Sequence, residues 1–294
     1  MRLSLAACLV AHLVAAGSSA ARADYRTGGP RNSHVILYQD KPIAEFVFDD
    51  AVVKRPYLKG VRTPSGIPVT RNHPPNPGED AVDHDTMHPG IWLAFGSLNG
   101  EDFWRNKGTI RCDGHRSVVE PGYFEAFEAD FTMLRADGRP LAKHTLLLKV
   151  RYDESLVRRT FLYEFESTIC SETDELVFGD QEEMGLGVRM ATPLVEKEGG
   201  TVKSADGRVG AKKIWGTVDQ WVEYSGVAQN AQVGIRVTPD KSNVRTAWWH
   251  TRDYGVFVAN PFGKRSLPAG AADFCLPKGE PLELKFTIEV FENR

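Results

Sequence analysis

The chain has 294 residues, 41% of them hydrophobic and 26% charged, with 27 glycines and 17 prolines; these are globular proportions and exclude a disordered or fibrous chain. Lysine and arginine number 36 against 39 aspartates and glutamates, a formal net charge of -3, so no cationic surplus exists to neutralise a phosphate backbone and nucleic acid is not an expected partner. After the first two dozen residues no apolar run approaches the roughly 18 to 20 needed for a bilayer-crossing helix, so no membrane span is expected in the mature chain.

In chain order, Met1-Arg2 gives a positive start, residues 3–16 are apolar, and Ala21-Arg22-Ala23 places small residues before a cut ahead of Asp24. This reads as a secretory signal over 1–23, with a retained anchor as the competing reading, and it predicts a secreted, periplasmic or extracellular protein. Cys8 lies inside the apolar stretch, which argues against a lipoprotein. The remaining 271 residues form one expected domain, 24–294, holding Cys112, Cys170 and Cys275. Three cysteines at wide spacing allow at most one intramolecular disulfide, whose pair the spacing does not identify. With no CxxC, a structural zinc ribbon is excluded.

Short strands are expected at 34–38, 45–49 and 91–95. Residues 123–133 then alternate, with Tyr123, Phe127, Phe131 and Met133 on one side and Glu128, Asp130 and Thr132 on the other; Glu125 is the exception on the apolar side. Ala136-Asp137-Gly138-Arg139-Pro140 supplies turn chemistry before Leu146, Leu148 and Val150 resume the alternation. After a turn at 153–155, Phe161, Tyr163 and Phe165 alternate with Thr160, Glu164 and Glu166, which makes three neighbouring strands of an antiparallel meander. Shorter strands follow at 176–178, 187–190, 221–224, 232–237, 247–250 and 255–259. The last strand is the cleanest: Leu282, Leu284, Phe286, Ile288 and Val290 share one face, opposite Glu283, Lys285, Thr287 and Glu289. No segment longer than two turns has a helical apolar period, so the pattern predicts an all-β, antiparallel two-sheet sandwich.

Polar chemistry gathers in four places. His73, His84 and His88 fall within sixteen positions of a proline-rich loop that begins near Arg71 and runs up to Trp92. Imidazole both exchanges protons near neutral pH and ligates metals, so His84 and His88 with Asp83 or Asp85 fit either an acid/base cluster or part of a metal site. A divalent metal there needs a distant third ligand such as His250 or Glu183, and the spacing lacks the glutamate of the helical zinc-protease motif. The second place, 99–108, interleaves Asn99 and Trp104 with charged groups, a composition suited to a glycan rim or, for Trp104, to a core. The third sets Glu182 and Glu183 beside Arg189; its Gly185-Leu186-Gly187 lacks the third glycine of a dinucleotide fingerprint. In the fourth, strand alternation puts Trp248, His250 and Arg252 on one face, followed by Tyr254 and Asn260.

The runs RPYLKGVRTPSG, VTRNHPP, DHDTMHPGIWLAFGSLNGEDFWRNKG, GDQEEMGLGVRMATP and WWHTRDYGVFVANPFG resemble the secreted bacterial family labelled PmoA-like, a family of unknown function, from about Arg55 to the C-terminus. Its label comes from a methane mono-oxygenase subunit that is a helical membrane protein, unlike this chain. More distantly the chain resembles the galactose mutarotase-like supersandwich. That resemblance implies a concave sheet on which an arginine, one or two histidines and a late carboxylate surround a sugar, in the order Arg71, His84, His88 and Glu182-Glu183.

Three functions are therefore expected in contest. The first is a secreted carbohydrate-active enzyme, an epimerase, lyase or hydrolase without a nucleotide cofactor, with His84, His88, Glu182 and Glu183 as proton carriers. Arg71, His73, Trp92, Asn99, Trp104, Arg189, His250, Arg252, Tyr254 and Asn260 then contact substrate. A non-catalytic glycan-binding module using Trp92, Trp104, Trp248 and Trp249 is the second. The third is a metal-dependent enzyme.

Overall fold

A computed structural model describes residues 32–263 and 273–294; the expected signal at 1–23 lies outside them. The chain begins with β1 (Ser33–Tyr38), β2 (Lys41–Val47), β3 (Tyr57–Lys59) and β4 (Ile91–Ala94), then β5 (Thr109–Ser117), β6 (Glu125–Leu134), β7 (Pro140–Glu154) and β8 (Arg158–Cys170). Next come β9 (Leu176–Phe178), β10 (Gly185–Arg189), β11 (Thr201–Ser204), the four-residue helix α1 (Ala211–Ile214), β12 (Val222–Ala228) and β13 (Ala231–Pro239). The last four are β14 (Trp248–Arg252), β15 (Val256–Asn260), β16 (Phe274–Leu276) and β17 (Leu282–Asn293).

These strands form a seven-stranded sheet in the order β1-β2-β3-β4-β10-β15-β14 and an eight-stranded one, β11-β12-β13-β17-β8-β7-β6-β5, with β9 and β16 paired apart. Every strand pairing within the sheets is antiparallel, and the two sheets pack as a sandwich. Apolar alternation in the long strands is the cause, since each of β6, β7, β8 and β17 has one face that water disfavours and only another such face to cover it. In β17 Leu282, Leu284, Phe286, Ile288 and Val290 are all buried while Glu283 is exposed. The expected meander is β6-β7-β8. Glu125, the exception in that pattern, lies at the end of β6, with its carboxylate 3.4 Å from His34 Nε2.

Four elements carry no readable alternation. β5 is an edge strand exposed along most of its length, so it has no apolar face to announce it. β3, β11 and β16 are three or four residues long, too short for a period. Cys112 and Cys275 are free thiols. Among the described residues no helix is long and apolar enough to cross a membrane.

One buried histidine makes the core acid-sensitive. His144 on β7 is 2% exposed, its Nε2 lies 2.9 Å from Ser167 Oγ, and burial pushes its pKa down to about 4. A depressed folded pKa leaves this contribution complete above the unfolded value near 6.5 and removes it as the pH falls towards 4, at roughly 1.4 kcal/mol per pH unit. His144→Gln, which keeps a partner for Ser167, is expected to shrink the loss of unfolding free energy between pH 7 and pH 5 by about 2 kcal/mol. Urea denaturation at the two pH values measures it, and equal losses in both proteins would contradict the assignment.

Candidate functional site on the outer face of the seven-stranded sheet

Side-chain alternation in the seven-stranded sheet sends Ile91, Leu93, Leu186, Val188, Trp249, Phe257 and Ala259 into the sandwich core. Their neighbours Trp92, Ala94, Gly187, Arg189, Trp248, His250, Arg252, Val256, Val258 and Asn260 therefore face the other way. Register aligns them in rows. Tyr57 sits beside Trp92, Trp92 beside Gly187, Gly187 beside Val258 and Val258 beside His250. Arg189, Val256 and Arg252 form the next row. At about 4.8 Å per strand, residues more than 150 positions apart share a face some 20 Å wide.

Three loops cover this face, and each brings polar groups. In the first, a single turn is closed by the His88 amide donating to His84 O at 2.9 Å, with His84 in the left-handed region at φ 48°, a conformation in which histidine is enriched. That turn stacks the two imidazoles, ring centres 5.1 Å apart. Pro89 and Gly90 then stop it; Gly90 has φ 117° and passes so close to Leu58 O that a Cβ would sit 2.1 Å from it. His84 lies parallel to Tyr254 at 6.1 Å, and His88 stacks on Trp92 at 5.4 Å. The second loop supplies Trp104, edge-on to Trp92 at 5.1 Å; both indoles lie against Gly187, where a Cβ would come within 2.6 Å of Trp92. The third is the turn carrying Glu182 and Glu183.

Asp83 organises one side. Its carboxylate accepts from Arg189 Nη2 at 2.8 Å, lies 2.9 Å from His84 Nδ1, and is 3.6 Å from Arg71 Nη1. Burial alone would raise its pKa; the His84 hydrogen bond and the charges of Arg189 and Arg71 reverse that and bring it to about 2. His88 is displaced further. It is 1% exposed, and burial followed by electrostatic interaction with Arg189, His84, Arg71 and Arg55 pushes its pKa down to about 2. That downward shift favours the neutral imidazole, which stacks on Trp92 and offers one donor and one acceptor nitrogen.

The acids hold the other side. His250 is fully buried, with Nδ1 3.6 Å from Glu182 and Nε2 3.9 Å from Glu183. Arg252 reaches Glu182 at 3.3 Å and Arg105 reaches Glu183 at 2.9 Å. His250 is the main cause of a Glu182 pKa below its ordinary value, with partial burial opposing and Arg252 assisting. Asn260 positions this turn: its amide donates to Gln181 O and Glu182 O at 2.7 and 2.9 Å while its oxygen accepts from the amides of Phe262 and Gly263. Tyr254 lies parallel to His84 and 4.7 Å from the Arg189 guanidinium; its phenol pKa is raised by burial and acted on by Arg252, Glu183, Arg189 and Asp83.

Several expected contacts have other work. Arg71 is 1% exposed, and its two terminal nitrogens donate to Ala81 O, Asp83 O, His84 O and His88 O, so it staples the histidine loop, with Nε left without a hydrogen-bond partner. Asn99 donates to Glu175 O and accepts from the Val177 amide, fixing β9. His73 packs edge-on to Tyr57 at 5.1 Å and lines a separate groove of about 760 Å³ with Lys59, Asn72 and Pro75. Trp104, expected either on a glycan rim or in the core, is fully buried, as is Trp92. The sequence reading missed Arg55, whose guanidinium ties Trp104 O, Asn106 Oδ1 and Met87 O at 2.6–2.7 Å. Its only sequence signal is an arginine beside a proline, two residues ahead of the short strand Tyr57–Lys59. Among the described residues no three histidine, cysteine or acidic side chains converge so as to hold a metal: His84 lies with Asp83, and Glu182 and Glu183 approach opposite ring nitrogens of His250.

The chain belongs to a family of unknown function, DUF6807, whose profile matches residues 33–294. No curated protein matches it.

Proposed function

We propose that this member of a family of unknown function is a carbohydrate-active enzyme that moves protons between side chains and a sugar held at the outer sheet face. One observation carries the reading: Glu182 and Glu183 approach His250 at 3.6 and 3.9 Å, while Asp83 pairs with His84 at 2.9 Å and the His84 ring lies parallel to Tyr254 at 6.1 Å. A carboxylate and an imidazole at opposite edges of one ring supply the base and the acid that epimerisation, β-elimination or glycoside hydrolysis requires. The likeness of order to the mutarotase-like supersandwich, Arg71 to Glu183, supports the same placement, with Asp83-His84 in the role expected of His88. Secretion, as residues 1–23 suggest, suits an enzyme that meets glycans outside the cytoplasm.

Burial of the tryptophans counsels against a pure glycan-binding module. Trp92, Trp104 and Trp249 are fully buried and Trp248 is 7% exposed, so these four leave no open aromatic platform for a sugar face. The test is product analysis in D2O over a panel of neutral and acidic oligosaccharides. New reducing ends identify a hydrolase, an unsaturated sugar a lyase, and deuterium at an inverted carbon an epimerase. His84→Ala is expected to lower turnover about 100-fold, with little loss of stability, because the imidazole is 43% exposed. Binding without product across the panel would overturn the enzyme reading.

A further inference from the structure

We infer that the sugar recognised here is anionic, carrying a carboxylate or sulfate that Arg189 receives and extending as a charged chain into the groove beside Arg252. The inference rests on the carbohydrate reading above and adds the substrate class. Its first support is a surplus of donors at the site. Arg189 is buried, and while Nη2 is held by Asp83, its Nε and Nη1 have no hydrogen-bond partner. The indole Nε1 atoms of Trp92 and Trp104 and both ring nitrogens of His88 are likewise unpartnered. An indole or guanidinium N–H only donates, and a neutral imidazole offers one donor and one acceptor, so this set asks for oxygen acceptors. Buried polar groups are ordinarily matched. Carboxylate and sulfate oxygens match a guanidinium edge better than neutral hydroxyls do.

The second support is independent of the first. Arg252, in the same row as Arg189, borders a groove of about 890 Å³ lined also by Lys197, Lys212, Lys213 and Trp215. Lys197 is 3.6 Å from Asp253, and Glu196 accepts from the Ala211 amide, but Lys212 and Lys213 are exposed and form no ion pair with the described residues. Trp215, half-buried and 5.9 Å from the Arg252 guanidinium, adds an aromatic wall of the kind on which sugar faces stack. Tyr254 joins the two regions, with its ring 4.7 Å from Arg189 and 5.9 Å from Lys197.

Calorimetric titration of the full chain with a tetragalacturonate, its methyl ester, a sulfated galactose tetramer and a neutral cello-oligosaccharide tests this. The expected result is at least tenfold tighter binding of one acidic probe than of the methyl ester, weakened as salt rises from 50 to 500 mM. Which acidic probe is preferred separates a uronate from a sulfate ester. The double variant K212Q/K213Q is expected to narrow the preference for the acidic form several-fold. Equal binding of the acid and its ester, or binding of the neutral probe alone, overturns the anionic assignment and leaves the carbohydrate reading standing. Failure of all four probes to bind counts against both.

Discussion

Replacing Glu182 with glutamine is expected to reduce turnover by about 100-fold or more, the usual contribution of a positioned proton-transfer group. The carboxylate is ionised because His250 stands 3.6 Å away and Arg252 3.3 Å away, and those partners hold its pKa below the ordinary 4.5. Glutamine keeps the shape of the side chain and can still accept from Arg252, but it cannot take a proton. The acid limb of the activity profile therefore falls below pH 4.5 in the wild type, where Glu182 becomes protonated. Glu183→Gln removes the partner of Arg105 and is expected to have an effect of similar size if the two acids work through the shared His250. In that case the double variant is little worse than either single one, because groups acting as a unit are not additive. A double variant retaining more than about a tenth of wild-type kcat, with an unchanged melting temperature, would remove both acids from the mechanism.

Arg55→Met is expected to cost about 3–5 kcal/mol of stability, since each buried acceptor left unpaired costs about 1–3 kcal/mol. The guanidinium is 2% exposed and binds two backbone carbonyls on different loops as well as Asn106. Removing it leaves Trp104 O and Met87 O without this donor and untethers the loops carrying Trp104 and His88. Methionine fills the volume but supplies no donor, and lysine, with one nitrogen, cannot span three acceptors in the guanidinium plane. For a protein of this size the melting temperature is expected to fall on the order of 10 °C, measurable by calorimetry. A fall below about 2 °C would mean the loops are held by other contacts.

Strand alternation made the sandwich legible, because β6, β7, β8 and β17 each have one greasy face and one charged face over ten or more residues. The site was legible as clusters of residue types. Strand parity alone placed Trp248, His250 and Arg252 together, and the crowding of histidines at 73–88 marked the loop that covers them. What each residue does there was not legible. The pKa of His88 is pushed down first by burial and then by the charges of Arg189, Arg71 and Arg55, which come from three separate segments. Arg71 turns inward because four carbonyls of a loop ten or more residues away converge on it. Both outcomes depend on loop paths, which hydrophobic periodicity does not encode. Gly187 shows the same limit: a glycine in a strand signals close approach, but only the register with Trp92 reveals that two indoles are what approach.

The strand that carries Gly187 and Arg189 is paired on both sides, with β4 and β15, and its core residues Leu186 and Val188 alternate with those two. Slippage of β10 by one position against its neighbours would drive Arg189 into hydrocarbon and expose Val188. Misfolded chains of that kind are penalised by thousands of fold in population before any ligand is met. The fold thus proofreads the outer face: a molecule that has assembled its interior correctly has, by the same geometric choice, set Gly187 and Arg189 on that face.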